Sequence, residues 1–254
     1  MKKVTGIGGV FFKSKNVPAL KEWYRDHLGF RTTEWGASII WGDIDPHNKS
    51  ICRTEWSPFK EDSDYYAPST EPFMINYRVH DLRQLMDSFK SEGVQVVGEL
   101  QEYDYGKFAH ILDPEKRKIE LWEPVDEGFG DAPPLWNERV TGLGGVFFVS
   151  KNPEATKEWY SKHLGVLDTF RWRDLANPSV EGQTVWAPLE KDSMFFQNSN
   201  KPYMFNYRVK DLVALLGKLK AEGVKTSDDF EQMPHGKFAW VWDPEGTKSA
   251  LWEP

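Results

Sequence analysis

A long internal repeat constrains this chain more than any other feature of its sequence. Residues 4–30 and 140–166, aligned without gaps, agree at 19 of 27 positions. Both segments contain an apolar run that opens with glycines, followed by Lys-Glu-Trp-Tyr and then His-Leu-Gly. Agreement of this density indicates that the second half repeats the first, so an inference made for one half can be compared with the other.

The length and composition fit two globular domains of ordinary size. The 254 residues are 39% hydrophobic and include 12 Trp, enough to fill two cores. The net charge of −7, without a block of Lys and Arg, argues against a nucleic-acid partner. One cysteine, Cys52, excludes a disulfide framework and a multi-cysteine metal site. Because no signal peptide or long apolar run occurs, we expect a cytoplasmic protein without a membrane partner.

Each half is predicted to open with a strand and an amphipathic helix. The apolar run at 8–12 is typical of a buried strand. Asn16 is a good N-cap for the helix that follows, and Gly29 supplies a left-handed helix end. A second strand–helix pair follows, because residues 72–79 alternate in polarity and residues 81–93 carry a helical apolar stripe.

The remaining segments complete the predicted architecture. Residues 38–41, residues 50–53 and a stretch around Trp56 predict three short antiparallel strands, and further strands close the half. Each half is then two βαβββ units, which gives an α+β fold. We place domain 1 at 1–124 and domain 2 at 140–254, with a linker at 125–139 that contains Gly, Asp and Pro-Pro.

Four motifs in each half resemble the vicinal oxygen chelate superfamily, which contains glyoxalase I, bleomycin resistance proteins and extradiol dioxygenases. In the first half the motifs are Trp23-Tyr24…His27-Leu28-Gly29, Tyr77-Arg78-Val79-His80-Asp81-Leu82, Tyr105-Gly106-Lys107-Phe108-Ala109 and Asp113-Pro114…Ile119-Glu120-Leu121-Trp122. The resemblance implies a tandem repeat of two glyoxalase-like domains, each of two βαβββ units with paired curved mixed sheets. It says less about function, because the fold hosts several chemistries.

The resemblance also implies metal-ligand positions, and this sequence does not fill them. Enzymes of the superfamily hold a divalent metal with His and Glu side chains on the concave face of the sheets. The first-strand ligand would fall at Gly9 and the fifth-strand ligand at Met74, which leaves Glu120 as the remnant. In the second half the same positions are held by Gly145, Met204 and Ala250. We therefore expect no metal or other cofactor, and the alternative is a divalent metal in domain 1.

Several side chains kept in both halves predict a ligand site on that concave face. Alternation places Met74, Asn76 and Arg78 on one side of their strand. The candidate ligand-binding residues are Phe11, Met74, Asn76, Arg78 and Trp122, with their counterparts Phe147, Met204, Asn206, Arg208 and Trp252. The alternatives are a buried amide bonded to the backbone for the asparagines, and core filling for the aromatic residues.

Glu120 and His110 are the candidate catalytic residues. Glu120 could act as a general base or a remnant ligand, although we expect it to form an ion pair with Arg78 on the same surface. His110 is the candidate acid–base residue of the first half, and its counterpart is Trp240. Arg208 lacks the equivalent carboxylate, so it either finds another acid or holds an anion.

Taken together, the sequence predicts a protein that binds a small, partly aromatic or anionic molecule in the sheet cavity without a catalytic metal. The alternative is a lyase, isomerase or dioxygenase of the glyoxalase type, with its site in domain 1 around Glu120. A scaffold role for the duplicated domain is a third possibility. Whether the protein is an enzyme stays open. The duplication favours a monomer over a homodimer.

Overall fold

The computed structural model describes residues 3–44, 51–125, 139–175, 177 and 179–254. The first repeat consists of β1 Val4–Ser14, α1 Val17–Leu28, β2 Ala37–Gly42, β3 Ile51–Lys60, β4 Phe73–Val79, α2 Leu82–Glu92, β5 Gln95–Tyr103, β6 Gly106–Leu112 and β7 Lys118–Pro124. The second consists of β8 Val140–Val149, α3 Pro153–Leu164, β9 Thr169–Arg173, β10 Glu181–Leu189, β11 Tyr203–Val209, α4 Leu212–Ala221, β12 Glu231–Met233, β13 Gly236–Trp242 and β14 Lys248–Glu253. The predicted α+β tandem repeat is confirmed.

The opening unit of each repeat differs from the prediction by one strand. Over the described residues it has the order β-α-β-β, because the strands predicted at 50–53 and around Trp56 are one continuous strand, β3. No turn-forming residue separates the two stretches, and β3 pairs with β2 on one side and β1 on the other. Residues 126–138 of the predicted linker lie outside the described residues, so the domain boundaries stay a prediction.

The helix ends are confirmed where the sequence placed them. Asn16 Oδ1 accepts a hydrogen bond from the backbone N–H of Ala19, and Gly29 ends α1 with φ of 75°. Asp81 caps α2 in the same way, and Gly93 ends it with φ of 73°. A side-chain cap and a residue in the left-handed region are local requirements, which a sequence shows directly. Of the helices in the described part of the chain, none combines the length and apolar character needed to cross a bilayer.

The strands form one 14-stranded sheet in which each repeat supplies seven neighbouring strands. Within the first repeat the order is β2-β3-β1-β4-β7-β6-β5, and the second repeat follows the same plan. The two parts meet at β2 and β9, where Gly42 pairs with Arg173. The opening strands of the two units, β1 and β4, therefore lie side by side at the centre of the first repeat.

The two repeats pack against each other through one face of each part of the sheet, here called the core face. The Phe12 ring of β1 lies 5.4 Å from the Phe205 ring of β11. Trp56 Nε1 donates to the Tyr207 hydroxyl at 3.0 Å. Trp186 Nε1 donates to the Tyr77 hydroxyl at 2.6 Å, which is the same contact with the repeats exchanged. The opposite face of each part is here called the open face, and it is the face on which a binding site can lie.

Candidate functional site

The strand register of the first repeat brings five residues into one line across the open face. Gly9 pairs with Asn76, Asn76 with Glu120, and Glu120 with His110. Glu55 of β3 lies opposite Gly9 on the other side. We call these five residues the site row. Four of them carry polar side chains, although the neighbouring strands are among the most buried parts of the repeat.

Met74 lies one step along β4 from the site row. The resemblance gave Gly9 and Met74 as the two ligand positions, but the β4 residue directly opposite Gly9 is Asn76. Met74 pairs with Phe11 and packs with it in a small apolar cluster that also contains Tyr66. The difference arises because a single strand shows which residues share a face, whereas the line across the sheet depends on pairing between strands.

Glu120 is the centre of a hydrogen-bonded group on the open face. Asn76 Nδ2 donates to Glu120 Oε1 at 2.6 Å, and His110 Nε2 lies 2.9 Å from Glu120 Oε2. The Tyr65 hydroxyl also donates to Oε2. Glu120 is 2% exposed, and these partners satisfy a carboxylate that burial would otherwise destabilise. We call Glu120, Asn76, His110 and Tyr65 the Glu120 cluster.

The ion pair expected between Glu120 and Arg78 is wrong. Among the described residues, the hydrogen bonds to the Glu120 carboxylate come from the three partners just named. Arg78 is paired with Trp122 one step further along β4 and β7. Its guanidinium lies 5.2 Å from the centroid of the Trp122 ring and 5.7 Å from that of Trp41, within the range of cation–π attraction.

Tyr65, which no sequence motif singled out, approaches Glu120 from outside the sheet. It lies in a 3₁₀ turn, Asp64–Tyr66, whose carbonyl at Tyr65 accepts a hydrogen bond from Lys118 Nζ at 2.7 Å. Burial first, and then the Glu120 carboxylate, raise the pKa of Tyr65 well above its ordinary value, so its hydroxyl stays protonated and donates. A comparison of the repeats could have identified Tyr65. Its counterpart is Phe195, and the positions of His110 and Glu120 also change to apolar residues in the second repeat.

The glycines of β1 leave room for the cluster. A register shift between Ile7 and Gly9 interrupts the pairing of β1 with β4. A Cβ added at Gly8 would lie 2.1 Å from Asn76 Oδ1, and one added at Gly9 would lie 2.6 Å from the Phe11 ring. The space that a first-strand ligand would need is therefore occupied by the side chains of Asn76 and Phe11.

Glu55 is a second carboxylate of the site row, and the sequence did not mark it as a site residue. Its oxygens accept hydrogen bonds from the Ser38 hydroxyl at 3.0 and 2.8 Å, and Arg53 Nη1 lies 3.9 Å away. Burial raises the pKa of Glu55, while the Ser38 hydrogen bond opposes that shift. Gly9 and Asn76 separate it from Glu120, so the two carboxylates are not neighbours in the row.

The second repeat keeps the fold and the asparagine, and it replaces four other polar side chains by apolar ones. Its register is the same, with Asn206 between Gly145 and Ala250 and with Met204 opposite Phe147. The positions of Tyr65, His110, Glu120 and Glu55 are held by Phe195, Trp240, Ala250 and Val185. The rings of Phe195 and Trp240 lie 5.8 Å apart in an edge-on contact, and they fill the region of the cluster. Three of the positions that differ between the repeats, those of Tyr65, His110 and Glu120, therefore hold residues that contact one another in the first repeat.

Arg208 of the second repeat finds another acid, which was one of the two expectations. Its Nη1 lies 3.9 Å from Asp174 Oδ2 and donates to the Thr141 hydroxyl at 3.3 Å. The guanidinium also lies 5.8 Å from the Trp172 ring. Trp252, the remaining candidate on this side, stacks on Phe238 at 6.1 Å, as Trp122 does on Phe108.

Comparison with known proteins agrees with this architecture. Residues 7–121 match the model of a family described as the Glyoxalase/Bleomycin resistance protein/Dioxygenase superfamily. The first repeat belongs to this superfamily. A search of curated proteins found no match.

Solved structures with the superfamily architecture are similar to both repeats together. The Mn(II)-bound glyoxalase from Novosphingobium aromaticivorans shares 14% identity at a TM-score of 0.66, over 100% of this chain and 83% of its own. A catechol 2,3-dioxygenase shares 13% identity at a TM-score of 0.63, over 99% of this chain and 88% of its own. Homoprotocatechuate 2,3-dioxygenase from Arthrobacter globiformis shares 12% identity at 0.60, over 100% and 80%. At these identities the likeness shows the fold alone.

The residues of the site row do not fit the metal site that the superfamily implies. Among the described residues, no group of three or more His, Cys, Asp or Glu side chains is arranged to hold a metal ion. Gly9 offers no ligand atom, and the Glu120 carboxylate is already engaged by three donors. His110 and Glu120 are bonded to each other, so this pair is arranged as a hydrogen-bonded dyad.

Proposed function

We propose that the open face of the first repeat binds a small, partly aromatic or anionic molecule without a catalytic metal. The observation that carries this proposal is the difference between the repeats. Tyr65, His110 and Glu120 form a buried polar group in one, and Phe195, Trp240 and Ala250 fill the same place in the other. The fold therefore does not require the polar group.

The buried carboxylate of Glu120 destabilises the fold relative to an alanine, and Ala250 shows that the fold forms with an alanine at this position. Its desolvation lowers stability unless each oxygen is hydrogen-bonded, and even a well-bonded buried charge often contributes less than apolar packing. Retention of Glu120 with Asn76, His110 and Tyr65 is explained by binding, since these four residues supply both hydrogen-bond donors and acceptors. Asn76 Oδ1 is buried without a partner among the described residues, and Asn206 Oδ1 of the second repeat is in the same state, so the difference between the repeats lies in Tyr65, His110 and Glu120.

The surroundings favour a ligand with an apolar part. Phe11 and Met74 lie beside the cluster on the same face, and Phe59 stacks on the Tyr65 ring at 5.3 Å. Flat aromatic walls around a few polar groups are typical of sites for small molecules. Phe11, Met74 and Phe59 thus provide an apolar side to the cluster, and their counterparts in the second repeat belong to one apolar cluster.

The test replaces the polar residues of the first repeat by those of the second. We expect the triple variant Tyr65→Phe, His110→Trp, Glu120→Ala to fold and to lose binding in isothermal titration against a panel that includes 2-naphthol, benzoate and citrate. Asn76→Ala and Asn206→Ala form a matched pair, and only the first should weaken binding. The proposal is overturned if no panel member binds the wild type, or if the triple variant binds as well as the wild type.

The His110–Glu120 dyad favours acid–base catalysis as a second candidate function. A carboxylate that orients an imidazole through Nε2 at 2.9 Å leaves His110 Nδ1 as the ring atom that can take or give a proton. The metal content of the purified protein distinguishes these metal-free functions from a metal-dependent enzyme. Protein purified without chelators should carry well under one equivalent of Mn, Fe, Ni or Zn. A stoichiometric metal that disappears in Glu120→Gln would instead support a metal enzyme of the glyoxalase type.

A further inference from the structure

A cavity of about 360 Å³ opens on the open face of the second repeat. Its lining includes Arg208 of β11, Trp252 of β14 and Gln183 of β10. Each of these residues lies one step along its strand from the row that contains Asn206 and Ala250, on the same face of the sheet. The cavity is therefore beside the apolar cluster of this repeat and not within it.

The guanidinium of Arg208 is only partly satisfied by the protein, and its side chain is 16% exposed. In the described part of the chain, its hydrogen bond to the Thr141 hydroxyl at 3.3 Å and its approach to Asp174 at 3.9 Å both use Nη1. The second distance is too long for a hydrogen bond. No Arg208 nitrogen is among the buried unpaired atoms of the described residues, so the donors of the Nε–Nη2 edge are accessible to a ligand.

The equivalent arginine of the first repeat is enclosed instead. Arg78 is 3% exposed, and its guanidinium lies 5.2 Å from the centroid of the Trp122 ring. Arg208 lies 5.8 Å from the Trp172 ring, while Trp252, the counterpart of Trp122, lines the cavity. The two repeats thus differ at this step of the sheet as well, and here the second repeat has the accessible polar group.

The Trp252 ring forms an ordered apolar wall of the cavity. Its Nε1 donates to the His235 carbonyl at 2.7 Å, and the ring stacks on Phe238 at 6.1 Å. Both contacts fix the orientation of a buried ring. Gln183 adds an amide that can donate and accept hydrogen bonds. A cation, an amide and an aromatic wall around one cavity are typical of a site for a small planar acid.

The acidic side chains near the cavity limit the charge that such a ligand can carry. Glu181 is paired with Arg171 at the cavity lining, and Asp174 faces Arg208. The charges of the two arginines and the two acids cancel, so nothing compensates a second negative charge on a ligand. A single carboxylate can bind the Nε–Nη2 edge while Nη1 keeps its present neighbours.

We infer that this cavity is a second binding site, in which Arg208 and Gln183 hold the carboxylate of a small planar monocarboxylic acid and Trp252 contacts its ring. The site lies in the second repeat, and it goes beyond the function proposed for the first. Bidentate pairing of a carboxylate with the guanidinium gives the preference for an acid. The indole ring gives the preference for a flat molecule.

Three related probes test the site by isothermal titration. 2-Naphthoate is the planar acid, 2-naphthamide is its uncharged analogue, and decahydro-2-naphthoate is the saturated acid. The wild type should bind 2-naphthoate about tenfold more tightly than 2-naphthamide, because a charge-assisted pair is stronger than a neutral hydrogen bond. It should bind 2-naphthoate about fivefold more tightly than the saturated acid, as expected for one aromatic contact.

Two variants remove the site in different ways. Arg208→Gln removes the cation and should bind 2-naphthoate and 2-naphthamide about equally. Gln183→Trp keeps Arg208 but fills the cavity, so it should weaken the binding of both probes by about tenfold or more. Arg83→Gln, which removes an exposed arginine of α2 in the first repeat, should bind all three probes as the wild type does. Circular dichroism checks that each variant is folded.

The outcomes separate this site from the one proposed in the first repeat. If 2-naphthoate binds and neither Arg208→Gln nor Gln183→Trp weakens it, the second site is wrong. Loss only in the triple variant Tyr65→Phe, His110→Trp, Glu120→Ala would assign the acid to the first repeat and leave the proposed function standing. Equal affinity of the wild type for the acid and the amide, or no binding of any probe, also overturns the second site.

Discussion

At the scale of single residues, Glu120 is an acceptor whose loss would leave its partners without a hydrogen bond. Tyr65 and His110 each direct a polar atom at its carboxylate. Without that acceptor, both atoms would be buried and unpaired, which costs more than a well-formed hydrogen bond contributes. The second repeat avoids the problem by replacing all three residues together.

Shared partners around Glu120 predict that substitutions there are not additive. Glu120→Ala should lower the free energy of unfolding by about 2–4 kcal/mol, because it leaves a cavity and takes the acceptor from Asn76, His110 and Tyr65. The triple variant Tyr65→Phe, His110→Trp, Glu120→Ala should recover part of that loss, because it removes two of the three unpaired groups and fills the cavity. Urea denaturation measures both. A triple variant less stable than Glu120→Ala would show that the residues of the second repeat cannot be transferred.

A second pair of equivalent residues, Asp113 and Asp243, predicts a pH dependence. Both are buried and both accept a hydrogen bond from a tyrosine of the other repeat. Asp113 also pairs with Arg117 at 2.6 Å, whereas the equivalent of Arg117 is Thr247. Burial raises the pKa of Asp243 from 3.8 to about 6, against the opposing hydrogen bonds from Thr247.

The direction of the pH dependence of stability follows from proton linkage. The folded state binds a proton at Asp243 more tightly than the unfolded state, so this residue makes stability fall as pH rises from about 4 to about 6. Asp243→Asn should therefore stabilise the protein by ~3 kcal/mol at pH 8 and have little effect at pH 4. Chemical denaturation at the two pH values measures the difference. Burial also raises the pKa of Asp113, but Arg117 opposes that shift, so Asp113→Asn, the matched comparison, should stabilise less than Asp243→Asn at pH 8 because it also removes the acceptor of Arg117.

At the scale of elements, local chemistry was predictable and pairing between strands was not. The ends of α1 and α2 follow from Asn16, Gly29, Asp81 and Gly93, each of which acts within a few residues of itself. The continuity of β3 and the line from Gly9 to Asn76 depend on partners far along the chain. The contact of Tyr65 with Glu120 spans 55 residues and is set by how the 3₁₀ turn folds onto β7.

Gly8 in β1 predicts that a larger residue at this position lowers stability. Gly8→Ala should destabilise by about 1–3 kcal/mol, because its Cβ would displace Asn76 Oδ1 and strain the bond from Asn76 to Glu120. Thermal unfolding measures the change. Gly217→Ala is the control, since its Cβ meets nothing within 4 Å in α4 and should stabilise by about 0.5–1 kcal/mol. Equal effects at both positions would contradict the prediction.

At the scale of the whole molecule, the repeats exchange contacts in reciprocal pairs. Glu115 of the first repeat accepts hydrogen bonds from the Ser150 hydroxyl and the N–H of Lys151 in the second. Glu245 of the second does the same for the Ser14 hydroxyl and the N–H of Lys15. Residues of both repeats share one apolar core cluster. Neither repeat keeps its core face covered without the other.

We therefore expect the chain to unfold in one cooperative transition. Glu245→Ala should lower the stability of both repeats equally, although its contacts lie at the start of α1. Hydrogen exchange followed by mass spectrometry should show the same loss of protection in β1 and β4 as in β8 and β11. Loss confined to one repeat would mean that the repeats unfold separately, and Glu115→Ala provides the mirror-image control.

The covered core faces also support the proposal that the chain is a monomer. Each repeat already covers the surface that would otherwise require a partner chain. Light scattering coupled to size-exclusion chromatography should give a mass near 29.4 kDa. A mass twice as large at micromolar concentration would contradict this proposal.

Joining the two repeats in one chain has a consequence for how such a protein can change. In an assembly of two identical subunits, one gene encodes both faces, and a substitution in one appears in the other. Here Glu120 and Ala250 are specified separately, as are His110 and Trp240. Selection can therefore remove the cost of a buried carboxylate from one face while retaining its chemistry on the other. The apolar packing of Phe195 and Trp240 then stabilises the whole chain, and the first repeat remains free to specialise.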